Sequence, residues 1–185
     1  MAQKGQILVN PENGDSFEFV ETAADTNGAR VTMKATVKSK GMLVPNHIHV
    51  LQDERFEIIS GKMTYMQEGK VDTASAGTVI ELPKNKPHNH YNGDDTPLVY
   101  MHTVSPALDF EHFIETLIGL AQDGKFKKGK AGILQELVTL KYLDSKAYLA
   151  DIPVGVQNIL MNTVAPVARL FGYRALYKKY TGFEK

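Results

Sequence analysis

Between Gln6 and about Ser105 the apolar residues recur in short bursts: "QILVN", "SFEFVET", "RVTMKATVK", "ERFEIISG", "KMTYMQ", "GTVIELP" and "PLVYMHTVS". Within most of them hydrophobic and polar positions alternate, the period of a half-buried β-strand. Turn-forming clusters such as "NPENGD", "TNG", "EGK" and "NGDD" separate the bursts. Short strands at this spacing predict an all-β sandwich or barrel.

After Ser105 the period changes. Leu108, Phe113, Ile114, Leu117, Ile118 and Ala121 form one helical stripe, with Ser105 as the expected N-cap and Pro106 at the first helical position. A lysine- and glycine-rich link, "DGKFKKGKAG", leads to a second amphipathic stretch from Ile133 to Leu149. The mostly apolar "VQNILMNTVAPVARLFGYRALYKKY" follows, interrupted by Gln157, Asn158, Asn162, Pro166 and Arg169. It predicts a buried or interfacial helix pair broken near Pro166 and Gly172. Tyr173, Leu176, Tyr177 and Tyr180 fall at i, i+3, i+4, i+7 and predict a helix docking face. The expected division is a β-barrel over residues 1–105 and a helical extension over 106–185, packed on the barrel or on a second subunit.

Composition narrows the chemistry. The 185 residues suffice to bury a core without staples. The chain has 21 basic and 21 acidic residues, so no net field favours nucleic acid or anionic lipid. The halves differ mildly, 10 basic and 13 acidic up to residue 105 against 11 and 8 beyond it. There is no cysteine, so a metal would need nitrogen and oxygen ligands. The first fifteen residues hold no apolar run of signal-peptide length and nothing reaches eighteen uninterrupted apolar residues, so the expectation is a cytoplasmic protein without a membrane or nucleic-acid partner.

The stretch "GMLVPNHIHVLQDERFEIISG" carries the first candidate chemistry. His47 and His49 share a face if the chain is extended. Glu54 follows on the parity of Phe56 and Ile58, and fits the site better than its neighbour Asp53; Gln52 is a candidate supporting residue. A second cluster, "PHNHYNGDD", places His88 and His90 on one parity, and in a closed barrel His88 would approach the first cluster. His90 is a candidate acid or base, or a rim residue. Tyr65 and Tyr91 could donate to a substrate oxygen or simply pack. His102 lines the pocket or faces outward, and His112 is a surface candidate.

Together these residues resemble the cupin superfamily. Gly41, His47, His49, Glu54 and Gly61 fit its first motif without a gap, and Gly77, Pro83, Asn85, His88 and Asn92 fit the second, except that Asn85 stands where glycine is usual. Asparagine tolerates a left-handed backbone, so the turn survives the exchange. The inter-motif segment of fifteen residues is similar to that of small bacterial cupins. The resemblance covers about residues 6–105. It implies a mainly β double-stranded β-helix, or jelly-roll barrel, followed by α-helices. It implies one divalent transition metal ion (Fe, Mn, Ni, Zn or Cu) held by His47, His49, Glu54 and His88. It also implies a small-molecule ligand and a homodimer. The activity expected from it is that of a dioxygenase, isomerase or lyase, with His90 and Tyr65 as candidate catalytic residues and Phe56, Ile58, Met63, Tyr65 and Met101 lining the pocket. The alternative is a non-catalytic barrel that senses a small metabolite. A sugar-nucleotide epimerase-like role is disfavoured, because no basic cluster offers to grip a pyrophosphate.

Overall fold

The computed structural model describes residues 2–38, 44–126 and 131–185. Gly41 and the middle of the "DGKFKKGKAG" link lie outside these residues. The chain runs β1 (Ile7–Val9), β2 (Ser16–Glu21), β3 (Val31–Val37), β4 (His47–His49), β5 (Asp53–Ser60), β6 (Lys62–Gln67), β7 (Lys70–Ser75), β8 (Val79–Leu82), β9 (His88–Asn92) and β10 (Leu98–Ser105). Then come α1 (Phe110–Gln122), α2 (Ile133–Tyr142), β11 (Ala147–Leu149), α3 (Val154–Leu170) and α4 (Lys178–Thr181). A six-stranded sheet, β1-β2-β3-β10-β5-β8, and a five-stranded sheet, β11-β4-β9-β6-β7, build the double-stranded β-helix expected from the motifs.

Alternation in the sequence becomes sidedness in the barrel. Along β5, Glu54, Phe56 and Ile58 are buried and their neighbours are not. Phe56 and Ile58 join Ala35, Val37, Leu98 and Tyr100 from the same sheet and Met63 and Ala74 from the other in one core. Two motif residues work through the backbone. Gly61 adopts φ +79°, and a Cβ built there would lie 2.5 Å from the Pro97 carbonyl oxygen; only glycine fits without strain. Asn85 takes φ +62°, the left-handed conformation its side chain tolerates. Asn92 ties the loop after β9 by donating to the carbonyls of Val37, Lys38 and Thr96. The polar strand β7, which carries too few apolar residues to signal itself, pairs with β6 across a two-residue turn, Glu68–Gly69.

The extension differs from its expected outline in three ways. Its first helix begins at Phe110, not at Pro106: Ser105 is held in β10 opposite Asp53. Asp109 at the helix entrance sends its carboxylate to the backbone N–H groups of Asp144 and Ser145. The second helix ends at Tyr142 rather than Leu149, because Leu143 is extended and Ala147–Leu149 pairs with His47–His49 as β11; pairing overrides helical periodicity. The third runs unbroken through Pro166, which is exposed and gives up only its own backbone N–H, and stops where Gly172 turns at φ +89°. The tyrosine stripe does dock, although only Lys178–Thr181 is helical. Tyr177 donates to Gln135 and Tyr180 to Asp123, and the Tyr180 ring occupies the space that a Cβ on Gly119 would need.

Candidate metal centre

Three strands converge on one point in the lumen. His47 stands opposite His88 in the β4–β9 pairing, and Glu54 enters from β5 in the other sheet. One ligand atom from each of His47, His49, Glu54 and His88 lies within 4.8 Å of the others, so the four could hold a metal ion. The imidazoles of His47 and His88 are aimed by their own loops. His47 Nδ1–H donates to the Pro45 carbonyl and His88 Nδ1–H to the Lys86 carbonyl, each at 2.8 Å. With Nδ1 used in this way, Nε2 of each ring turns a lone pair to the lumen.

The remaining distances suit a cation. His47 Nε2 and His49 Nε2 are 3.1 Å apart. Two nitrogens bound at right angles about 2.1 Å from one ion would be about 3 Å apart. His88 Nε2 lies 2.8 Å from Glu54 Oε2 while its other nitrogen already faces a carbonyl. An imidazole between two acceptors needs either a proton on each nitrogen or a cation at the lone pair. The donor set therefore fits a divalent transition ion, which imidazole and carboxylate bind in common.

Charge in the lumen is concentrated on one group. Burial by itself would raise the Glu54 carboxyl, but His49, His102 and His88 hold it well below the usual carboxylate range. Burial depresses His47, and it pushes His49 down to about 4 and His90 down to about 3, so these rings are neutral near pH 7. Histidines that bind a metal do so as neutral imidazoles, so with the one carboxylate this ligand set would carry a charge of −1.

His102 is the lumen residue that the sequence left undecided. Its Nε2–H donates to Glu54 Oε1 at 2.8 Å, and its ring stacks on Phe56 at 4.4 Å. It fixes the carboxylate that faces the other three. Its parity with the buried Tyr100 and Leu98 was the available signal. His90 also faces inward: its ring lies 4.5 Å from Phe56, and its Nδ1 is buried with no hydrogen-bond partner among the described residues. Tyr65, opposite His90 in the β6–β9 pairing, is half-buried against the core, and Met101 is half-buried on the other parity of β10. Gln52 does not reach the ligands; it donates to the carbonyls of Pro106 and Ala107 and so ties the barrel to the start of the extension. His112 sits apart on α1, hydrogen-bonded to Glu115.

The extension also closes on the site. The Phe110 ring, at the start of α1, lies 5.6 Å from His102 and 6.3 Å from His49. β11 pairs along the whole of β4, and hydrogen bonds from Val50 to Lys146 and from Ala150 to Asn46 continue the ladder at both ends. The outer edge of β11 is closed by Gln157 of α3, whose amide accepts from Leu149 N–H and donates to the carbonyls of Leu149 and Ile152.

Fold and lumen together define a histidine-lined β-barrel with a candidate metal site. Residues 33–104 match the Cupin_2 family model, a cupin domain. No curated protein matches the chain. Solved structures with a similar fold include an uncharacterised double-stranded β-helix protein from Klebsiella pneumoniae (22% identity, TM-score 0.45, 54% of this chain and 84% of that one). A protein described as a predicted oxalate decarboxylase from Thermotoga maritima is similar at 19% identity and TM-score 0.48, over 56% of this chain and 92% of that one. KdgF from Halomonas sp. is similar at 16% identity and TM-score 0.48, over 56% and 91%. These likenesses concern the barrel and carry no activity across. Among the described residues no helix is long and apolar enough to cross a membrane.

Proposed function

We propose that this protein is a metal-dependent enzyme acting on a small anionic molecule, such as a hydroxy acid, keto acid or enol. Its ligands are His47, His49, Glu54 and His88. The observation that carries this reading is the pair of rings, His47 and His88, whose Nδ1–H groups are occupied by backbone carbonyls while their Nε2 atoms converge with Glu54. A purely structural pair has no need of that arrangement.

A divalent ion in such a site supplies Lewis acidity to a substrate oxygen or, if it is iron, a centre for dioxygen chemistry. Against a ligand set of charge −1 the site keeps a positive charge, which favours a carboxylate or enolate. The chain's own residues then do the rest. His102 holds Glu54 in register. Phe56 and Phe110 exclude water from around the histidines. His90, neutral and with Nδ1 unpaired, offers a hydrogen bond to a bound substrate, and Tyr65 on the facing strand is the second candidate contact.

The test is elemental mass spectrometry of the purified, untagged protein beside a His47→Ala, His49→Ala double variant. The expected result is one near-stoichiometric transition metal in the parent and none in the variant. A parent that holds no ion even after reconstitution would overturn the reading and leave a barrel whose histidines contact ligand directly.

A further inference from the structure

Helix α3 uses one face and leaves the other bare. Gln157, Met161, Ala165 and Ala168 are buried against the extension's core. On the opposite face Val156, Ile159, Leu160, Val167 and Leu170, with Phe171 just beyond, are all exposed, Leu170 at 85% and Phe171 at 78%. From Ile152 to Phe171 the only charged residue is Arg169, and its guanidinium is stacked 4.5 Å from the Tyr142 ring. An uncharged apolar stripe running the length of a 17-residue helix is unusual on a surface otherwise rich in charge. Its exposed side chains present on the order of 800 Å², about what each partner of a standard-sized interface buries.

We propose that this stripe is a homodimer interface, formed by two copies of α3 packed antiparallel about a twofold axis near Ile159 and Thr163. An uncharged face meets its own copy without like-charge repulsion, which an isologous contact requires. The ends of the stripe favour the antiparallel sense: Asp151 lies at one end and Arg169 at the other, so antiparallel pairing places opposite signs together. That sense also opposes the two helix dipoles. A helix lying on an anionic membrane needs basic residues along its flanks, and α3 has only Arg169.

The full chain is examined by light scattering coupled to size exclusion, alone and with outward-facing Ile159→Glu and Val167→Glu substitutions. The parent is expected at twice the chain mass and the variant at the chain mass with unchanged helix content. Because the chain has no cysteine, single-cysteine variants report the geometry even if the glutamate variant misfolds. Thr163→Cys is expected to cross-link to itself under mild oxidation. Leu170→Cys, far from the axis, is expected not to. A parent of single-chain mass at all concentrations overturns the proposal, as does self-linking of Leu170→Cys without Thr163→Cys. A single-chain protein that co-sediments with phosphatidylserine vesicles, and loses that property in the glutamate variant, assigns the stripe to a membrane surface instead.

Discussion

The barrel's lumen and the joints of the extension use buried polar side chains differently. In the barrel four histidines, His47, His49, His88 and His102, meet one another or a single glutamate, and two ring nitrogens, His49 Nδ1 and His90 Nδ1, have no partner among the described residues. In the extension Asp109, Gln135 and Gln157 each spend their side chains on backbone groups of other segments. Buried rings that converge while some of their nitrogens lack partners cost stability, a cost that a bound ion or ligand would offset. Polar side chains paired with the backbone of another segment instead fix where segments lie. The contrast separates a site from its scaffold within one chain.

The largest effect that sharpens this contrast is loss of a ligand. His88→Ala should abolish metal retention, read by elemental analysis after dialysis, and leave the extension's helix signal intact. Equal metal loss from any variant confined to α2 or α4 would break the distinction. Acidification comes next and reads the barrel alone. His49 has a folded value of about 4 against 6.5 unfolded, so the folded state binds fewer protons between those values. Its contribution is present above pH 6.5 and is lost as the pH falls towards 4; that of Glu54, itself depressed, is lost only below about 4.5. His90, lowered to about 3, adds to the loss, so the metal-free protein should lose at least about 3 kcal/mol between pH 7 and pH 4, measured by urea unfolding. A stability that is flat over that range would contradict the burial of these rings. The smallest effect crosses the boundary between the regions. Gln157→Ala removes three hydrogen bonds that brace β11 behind the ligand strand. It should cost about 1–3 kcal/mol and weaken metal binding roughly tenfold, as loss of outer support does elsewhere. A cobalt titration followed by its absorption spectrum would detect this. Unchanged affinity would mean that β4 holds its histidines without help from the extension.

The candidate site was far more legible than its support. His47 and His49 share a face by the period of the strand, Glu54 shares the parity of Phe56 and Ile58, and Asn85 has the left-handed turn that its side chain permits. Each of these follows from local geometry. His102 could not be placed because β10 lies between β3 and β5 with alternation on both sides, and its inward face is set only once the second sheet closes. The segment 143–149 was read as helix because its apolar spacing continues that of α2. Its conformation is instead decided by Asp109 and Gln157 and by pairing with His47–His49. Asp109 and His47–His49 lie far outside any local window of sequence, and Gln157, though near in sequence, reaches back from the following helix.

The pairing of β11 with β4 has a temporal consequence. The two strands are about a hundred positions apart, with Ala147 opposite His49 and Leu149 opposite His47. Contacts that distant form late, because a long loop must close before they repay its entropy. During synthesis the strand bearing two of the four candidate ligands therefore waits, one edge bare, until the last quarter of the chain has emerged and α3 has brought Gln157 into place. If the candidate site takes up a metal, its support is on this account completed only as folding closes.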